Sequence, residues 1–529
     1  MGKRNKKIIV GIILIPVIVL ASFIICQLYS SDFNIIEMVS SFGEDRPAVE
    51  KADDEVVVYF HINCKDGNNP EPIVVKRDTV LQASDMPKVS RDGYYFAGWY
   101  TEKKPHLNDA GYYDDQWIAG KKYMDYGGPK PKEGELTEMP VNSDLDLYAH
   151  WEAPVKISSA KDLSKIKKNL YGYYVLSKDI DLSSNKNFEP IGVYEAEYEY
   201  TNPDWWFHGF RGRLDGNGHK VVGLTFNNGG HANALIAAAA NATIQNLTID
   251  NYRICGNANQ GIYTAPLLAF GLGNDLLIEN CHTNGNIDLT IKCLDTDMVY
   301  SGITGLTAGC WGGQIRDCSA RGNIHFSYHV ANGSEINIGG INGEGYTKTQ
   351  NCNVDMDIRG DVLSDASPIN GQDSHGDIYI GMIQGAATVV EDCNASGTIE
   401  IGYDKKSGEG SINVGGIVGQ ERYDTIRNNY SDVKIQVNKG RCVYGGGIVG
   451  SYNTGVYGMI GAMSGIKENN IEHCTSAGSI TLSSETDRED VVIGEIVSKL
   501  PEGIDNPMLK MFMGNDGQPT YKLINNKTL

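Results

Sequence analysis

The chain carries the stretch Ile278-Glu279-Asn280-Cys281, which is followed a few residues later by Gly285-Asn286-Ile287. The cysteine, or the residue that replaces it, occupies positions 247, 281, 318, 352 and 393, so successive copies lie 34, 37, 34 and 41 residues apart. Internal repetition at such a period predicts a repeat architecture between about Val155 and Leu500. Three further close copies and three degenerate ones share the order of residue types, and they begin at Ile315, Val390, Ile471, Ile244, Gln350 and Ile426.

A second motif, Gly-Gly followed by aliphatic residues, precedes most copies, as in 338–341, 414–419 and 446–450. The apolar runs are short and are bounded by Gly, Asn and Ser, which indicates strands and turns and leaves no room for a helix of ordinary length. Such a repeat buries its apolar face only by stacking on the next copy. The predicted fold is therefore mainly β, a parallel β-helix in which each copy forms about one rung roughly 4.8 Å high.

Composition excludes one class of partner. The 529 residues carry a net charge of −20 and a calculated pI of about 5.0. Nucleic acid requires a basic surface, so we expect no nucleic-acid partner. The acidic residues are scattered along the sequence, which favours a solubilising surface.

The N-terminus predicts a membrane anchor within residues 1–32. Lys3, Arg4, Lys6 and Lys7 precede an apolar run from Ile8 to Cys26. As a helix this run would span about 28 Å, close to the hydrocarbon thickness of a bilayer. The basic flank favours the cytosolic side, which places the rest of the chain outside the membrane. A cleaved signal peptide is the alternative. Residues 33–55 are polar and are interpreted as a linker.

Residues 56–152 form a separate module in this interpretation. The block Gly93-Tyr94-Tyr95-Phe96-Ala97-Gly98-Trp99-Tyr100 and the closing block Asp146-Leu147-Tyr148-Ala149-His150-Trp151 occur in this order. The two blocks resemble a Listeria–Bacteroides (internalin B-type) repeat of surface proteins. That resemblance implies a small β-grasp-like module, longer here than the usual unit. We expect Trp99, Tyr100 and Trp151 in its core, because a small module needs aromatic burial.

Residues 153–230 are interpreted as the N-terminal cap of the β-helix and residues 231–500 as its repeats, followed by a C-terminal tail, 501–529. Ser159 is predicted to cap a short helix whose apolar positions are Leu163, Ile166 and Leu170. Together with the Gly-Gly-aliphatic copies, this block resembles the GLUG-type repeat proteins of bacterial surfaces. The resemblance implies a right-handed parallel β-helix.

The cap contains an insertion that is dense in aromatic residues, and it is the candidate partner-binding site. If these side chains are exposed, they are anchors for a glycan or a protein. If they fold onto the cap, they belong to the core. The candidates are Tyr194, Tyr198, Tyr200, Trp205 and Trp206.

The cysteines predict a stack of reduced thiols. The chain has 11 cysteines and no Cys-x-x-Cys, which argues against structural zinc and a redox pair. Buried cysteine packs as a small apolar residue. Stacked side chains that point the same way fit disulfide geometry poorly. Five cysteines share one register of the repeat: Cys281, Cys318, Cys352, Cys393 and Cys474.

No catalytic, cofactor-binding or metal-binding residue is predicted. Asp179 and Asp181 would share one face of a strand, but two acids near a cap are more often solvated. His325 and His329 lie four apart, in an expected loop. The zinc-protease helix motif, Gly-x-Ser-x-Gly and the P-loop do not occur.

The sequence thus predicts a membrane-anchored, extracytoplasmic protein of the cell envelope, in a Gram-positive bacterium. Its expected function is adhesion, or binding of a glycan or protein, without catalysis. One alternative is a polysaccharide-degrading β-helix enzyme, which requires acids and bases that converge on an outer face over several rungs. A purely structural stalk is another alternative.

Overall fold

A computed structural model describes residues 46–529 apart from several gaps, and it is 59% strand and 3% helix. The gaps are 66, 82, 109–110, 112–115, 118–139, 187, 194–208, 228–229, 260, 293–299, 330–333, 364–376, 405–410, 423–424, 440–441, 453–467, 484–489 and 499–519. Two compact units divide the chain. The first comprises 1–60, 70–79 and 140–146, and the second comprises 61–69, 80–139 and 147–529.

Among its described residues, the segment before residue 153 contains seven short strands: β1 Glu55–His61, β2 Ile73–Lys76, β3 Thr79–Val80, β4 Tyr95–Tyr100, β5 Gln116–Trp117, β6 Pro140–Val141 and β7 Leu145–Glu152. In the first unit, β1 and β2 pair antiparallel with Val56 opposite Val75. In the second unit, β4 pairs antiparallel with both β5 and β7.

Two of the three aromatic residues expected in the core of this segment are buried, and the third is half-buried. Trp99 and Tyr100 are almost fully shielded from solvent. Trp151 is partly exposed, and its indole N–H donates to the carbonyl of Ile62 at 2.7 Å. Its ring also contacts Phe96, with the ring centroids 5.4 Å apart. The prediction for Trp99 and Tyr100 is confirmed.

The start of the solenoid is formed as the sequence indicates. The side chain of Ser159 accepts from the backbone N–H of Asp162 and so caps helix α1, Ala160–Ser164, which a 3-10 turn, Lys165–Lys168, continues. Leu163, Ile166 and Leu170 are buried in the same cluster as the solenoid core. The strands that follow are β8 Pro154–Ile157, β9 Tyr173–Leu176, β10 Ile180–Asp181, β11 Arg213–Asp215, β12 Lys220–Val222, β13 Thr225–Phe226 and β14 Ala232–Asn233.

The repeats then form rungs of four strands each. The first three rungs continue through β15 Ile236–Ala240, β16 Thr243–Gln245, β17 Thr248–Ala258, β18 Tyr263–Thr264, β19 Leu268–Leu272, β20 Leu277–Glu279, β21 His282–Lys292, β22 Tyr300–Thr304 and β23 Thr307–Trp311. The next three comprise β24 Gln314–Arg316, β25 Ser319–His329, β26 Glu335–Gly339, β27 Asn342–Glu344, β28 Lys348–Gln350, β29 Asn353–Leu363, β30 Asp377–Gly381, β31 Gln384–Ala387, β32 Val389–Glu391, β33 Asn394–Asp404, β34 Ser411–Gly415 and β35 Val418–Glu421. The chain ends with β36 Thr425–Arg427, β37 Tyr430–Lys439, β38 Cys442–Gly446, β39 Val449–Tyr452, β40 Glu468–Glu472, β41 Thr475–Ser476, β42 Ser479–Leu482, β43 Asp490–Gly494, β44 Thr520–Ile524 and β45 Lys527–Thr528.

Equivalent strands of successive rungs pair in parallel and make four sheets. Within the described residues, sheet 1 runs from β8 to β44 through the three-residue strands, and sheet 2 runs from β10 to β45 through the long strands. Sheet 3 runs from β14 to β43, and sheet 4 from β15 to β39. One hydrophobic cluster fills the interior from Ile157 to Val497. The predicted parallel β-helix-like solenoid is confirmed, whereas its hand stays a prediction.

The Asn/Asp position of the motif is the corner between sheets 1 and 2. Its residues adopt the left-handed conformation with φ between 49° and 56°, and asparagine and aspartate tolerate this conformation best. Their side chains also stack: the amide of Asn428, for example, donates to Asp392 at 3.1 Å. The corner residues are Asn246, Asn280, Asp317, Asn351, Asp392, Asn428, His473 and Asn525.

The cysteine position follows the corner and points into the core, and the five thiols are buried and free of disulfides. The backbone N–H of Cys281 donates to Sγ of Cys318, the next thiol in the stack, at 3.4 Å. The N–H of Cys393 donates instead to Oδ1 of Asn429 at 2.9 Å. Cysteine and asparagine therefore share this position because each offers an acceptor to a buried N–H.

The Gly-Gly-aliphatic motif brings sheets 3 and 4 together. Strands of both sheets are buried on both faces. A Cβ atom on Gly419 would lie 2.5 Å from the backbone nitrogen of Ile380, and one on Gly385 would lie 2.7 Å from that of Ile338. These separations leave no space for a side chain. The glycines therefore allow the backbones of the two sheets to pack closely.

The corner predicts a specific pair of stability effects at Asn428. Asn428→Ala should lower the free energy of unfolding by roughly 1–2 kcal/mol, because it combines left-handed strain with a lost hydrogen bond. Asn428→Gly should cost less, because glycine adopts this conformation freely. Urea unfolding followed by circular dichroism measures both variants. Equal losses for the two substitutions would show that the left-handed backbone does not select the residue.

Burial of the thiols predicts their reactivity. Burial raises the pKa of Cys474 to about 11 and that of Cys310 to about 12, and it also raises the pKa of Cys318 and Cys393. Because the raised pKa suppresses the thiolate at pH 8, iodoacetamide should leave these four thiols unmodified in the native chain and alkylate them in urea. Half-buried Cys64 and Cys255 serve as native-state controls. Mass-spectrometric mapping in which Cys318 reacts as fast as Cys255 would contradict the buried stack.

Candidate binding groove beside the long-strand sheet

The predicted aromatic site, Tyr194, Tyr198, Tyr200, Trp205 and Trp206, lies outside the described residues. The predicted anchor, residues 8–26, does so too. In the part of the chain that the structure describes, no helix is long and apolar enough to cross a membrane.

The two aspartates near the cap stabilise turns. Oδ1 of Asp179 accepts from the backbone N–H of Lys220 at 3.0 Å and contacts His219 at 3.2 Å. Oδ1 of Asp181 accepts from the backbone N–H of Ser183 at 2.8 Å, and hydrogen bonds from Ser183 lower the pKa of that carboxyl. Each carboxylate serves its own turn.

The prediction of a loop around His325 and His329 is wrong. Both residues lie in the eleven-residue strand β25, where His325 pairs with Asp288 and Arg359 of the neighbouring rungs. The long strands of sheet 2 continue well past the Gly-x-Ile motif, so the motif does not indicate where these strands end. Among the described residues no group of three potential ligands could hold a metal ion.

A groove with a volume of about 710 Å³ lies at the corner between sheets 1 and 2. It crosses successive rungs from β21 to β37, and ten of its thirteen lining residues are polar, while Cys318, Val354 and Ala395 are buried. The polar lining residues are His282, Asp317, Ser319, Arg321, Asn351, Asn353, Asp355, Asn394, Ser396 and Tyr430.

Parallel register arranges the lining in three columns parallel to the solenoid axis. The corner residues Asp317 and Asn351 make the first column. The first residues of the long strands make the second, from His282 to Tyr430. The residues two positions further along these strands make the third, with Arg321 beside Asp355 and Asp355 beside Ser396. The same position therefore recurs once per rung.

Hydrogen bonds within the columns use only part of the polar capacity. The amide of Asn394 donates to Oδ1 of Asn353 at 3.0 Å, and Oγ of Ser396 donates to Asp355 at 3.1 Å. Nδ1 of His282 lies 2.9 Å from Oγ of Ser319. An asparagine side chain offers two N–H donors and an oxygen with two lone pairs. The groove consequently presents further donors and acceptors to a ligand.

The charges in the groove are few. Arg321 is exposed and forms no ion pair with a described residue, while Asp317 and Asp355 supply two carboxylates. Burial, and then the positive charge of Arg321, lower the pKa of His282 below its usual value. The imidazole is therefore neutral at pH 7. At the far end Tyr430 is 39% exposed and offers a ring to a ligand.

Charged residues also converge between sheets 3 and 4, where they are largely shielded from solvent. The side chains of Arg422 and Glu344 are each 2% exposed. Arg422 contacts Glu335 at 2.5 Å and Glu344 at 3.8 Å, and the amide of Asn337 donates to both glutamates at 2.9 and 3.3 Å. Tyr263 donates to Glu344 at 2.8 Å. These residues come from three different rungs, so no local motif in the sequence signals their contact.

The buried cluster predicts unequal effects of removing two arginines. Arg422→Met should lower the free energy of unfolding by roughly 3–5 kcal/mol, because it leaves the buried carboxylate of Glu344 and the largely buried one of Glu335 without their cation. Arg359→Met should cost at most about 1 kcal/mol, because Arg359 is 61% exposed and lies 3.8 Å from Glu400. Urea unfolding compares the variants. Equal midpoints would mean that water reaches the cluster.

Comparisons with known proteins add little. No protein-family model matches the chain, and no curated protein matches it either. Among solved structures, it is similar to a "putative immunoglobulin A1 protease" from Bacteroides ovatus, with 14% identity and a TM-score of 0.36 over 71% of this chain and 84% of that one. It is also similar to an IgA1 protease, with 17% identity and a TM-score of 0.36 over 72% of this chain and 26% of that one. Similarity this low carries no argument about function.

Proposed function

We propose that the chain is a non-catalytic display protein of the bacterial cell envelope, whose solenoid binds an external partner. The observation that carries the proposal is the groove at the corner of sheets 1 and 2. It is open and lined mainly by polar residues, and their hydrogen-bonding capacity is not exhausted by contacts within the protein. Concave sites with a few convergent polar groups are where proteins bind ligands.

The placement of the protein follows from its N-terminal sequence. In this proposal residues 8–26 anchor it in the membrane of a Gram-positive cell, and the remainder lies on the extracytoplasmic side. The resemblances to Listeria–Bacteroides and GLUG-type repeats support the same placement. They also suggest a β-grasp-like module before a right-handed solenoid. A rigid solenoid is well suited to display, because each rung is held by its neighbours.

The enzyme alternative draws less support from the structure. A polysaccharide-degrading enzyme needs acids that a substrate can reach. Glu335 and Glu344 are brought together by Arg422 and Asn337, but the cluster is largely buried within the protein. A substrate could reach Asp317 and Asp355 in the open groove, but each already accepts a hydrogen bond from a neighbouring side chain, Asn351 and Ser396 respectively, which favours a structural role for both.

This proposal predicts binding without turnover. The purified chain is incubated with a panel of insoluble and soluble polysaccharides and with cell-surface proteins. Retention and the release of new reducing ends are scored in parallel. We expect retention with no increase in reducing ends over a boiled control. Release of reducing ends that Glu335→Gln abolishes would show that the protein is an enzyme, and absence of retention on every partner would favour the structural stalk.

A further inference from the structure

We propose that the groove binds an uncharged, linear polysaccharide that lies parallel to the solenoid axis. This inference rests on the proposed function and names the ligand class of the same site. It starts from the repetition in the groove. Its polar positions recur at every rung, roughly 4.8 Å apart. A partner that makes the same contact at each rung must itself repeat at a similar distance, as the sugar residues of an extended polysaccharide do.

The chemistry of the columns suits hydroxyl groups. A sugar hydroxyl donates one hydrogen bond and accepts others, so it pairs with groups that offer both functions side by side. Asn353 and Asn394 offer such pairs in adjacent rungs, since the contact between them occupies one N–H and one oxygen. Ser319 adds a hydroxyl group in the rung before Asn353, and Ser396 adds one in the same strand as Asn394. The groove thus presents both donors and acceptors in successive rungs.

An aromatic ring lies at one end of the groove. Tyr430 is the first residue of β37, in register with Asn394, and its side chain is 39% exposed. An exposed ring packs against the apolar C–H face of a pyranose and leaves the equatorial hydroxyls free for the amides. The combination of one ring with a row of planar amides matches a sugar, which has an apolar face and a polar edge.

The charges favour a neutral polymer. The lining contains one guanidinium, Arg321, and two carboxylates, Asp317 and Asp355. The whole chain carries −20. A polyanion such as a polyuronate would be repelled at long range and would meet a single cation in the groove. A polycation would be attracted at long range but would meet Arg321 within the lining. A neutral chain meets no like charge in the groove, and its binding should depend little on salt.

The test uses affinity electrophoresis of the full chain in gels that contain neutral linear glucans, mannans or xylans, or polyuronates. The groove variant is Asn353→Ala with Asn394→Ala. The matched control is Asn286→Ala with Asn323→Ala. It removes an equivalent pair on the exposed face of sheet 2 outside the groove, in which the amide of Asn323 donates to Oδ1 of Asn286 at 2.8 Å. Tyr430→Ala is a second, single variant that leaves the asparagine contacts in place. Thermal unfolding confirms that all variants fold.

We expect retardation by at least one neutral polysaccharide. The dissociation constant should change less than twofold between about 50 and 500 mM salt, a range over which the screening length of charges changes about threefold. The groove variant should bind about tenfold more weakly, since two hydrogen-bonding side chains are lost. Tyr430→Ala should bind several-fold more weakly, and the control should bind as the parent does.

The failures are distinguishable. If a neutral polysaccharide binds but the groove variant and the control bind it equally, the ligand lies elsewhere, so the inference fails while the proposed function stands. Salt-sensitive binding of polyuronates alone, or groove-dependent binding of a protein alone, likewise overturns only the inference. If the chain binds none of the polysaccharides and none of the surface proteins, both proposals fail.

Discussion

The fold depends on one backbone requirement, the left-handed residue at the corner between sheets 1 and 2. There the N–H of each corner residue from Asn246 to His473 donates to a carbonyl of the next rung, as Asn280 does to Arg316 at 3.1 Å. The hydrogen-bond ladder therefore continues through the turn only if every rung repeats the same conformation. Asparagine and aspartate meet this condition at low cost, and they add a side-chain contact from rung to rung. The buried position that follows them needs an acceptor for its neighbour's N–H, which cysteine and asparagine provide.

Fixed corners set the register of the long strands, and this register determines which side chains lie beside one another on the surface. Because the side-chain period of a strand is two, a slip of one residue would turn the core face of a long strand outward. Here Ile287, Ile324, Ile358 and Ile399 stay aligned in the core, so the exposed positions also align. A column of like side chains on the outer face is thus a consequence of a constraint inside. The groove is the place where three such columns meet an open corner.

Four features could be predicted, because each depends on residues close together in the sequence. They are the repeat period, the strand content, the cap formed by Ser159 and the cysteine stack. The charged cluster could not, since Arg422 and Tyr263 come from different rungs than Glu335 and Glu344, and nothing local distinguishes these residues from surface charges. The groove was missed for a related reason. Its asparagines and serines are ordinary strand-edge residues until stacking places them side by side. At Asn428-Asn429, asparagine replaces the cysteine of the motif, which shows that this position needs a hydrogen-bond acceptor. The same replacement occurs at Asn525-Asn526, and there β44 and β45 extend the rungs into the predicted C-terminal tail.

The charged cluster between sheets 3 and 4 and the corner between sheets 1 and 2 differ in whether a polar group without a partner is tolerated. Between sheets 3 and 4, small glycines bring the backbones together, so any charge there must find its partner within the protein, as Arg422 does with two glutamates. An uncompensated carboxylate in that position would destabilise the fold. At the corner of sheets 1 and 2 the left-handed turn directs the amides outward into water, where an unused donor or acceptor costs little. Selection for a ligand can therefore change the lining of the open corner freely, while the closed corner is held by stability. Binding function belongs where polar groups can remain unsatisfied until a partner arrives.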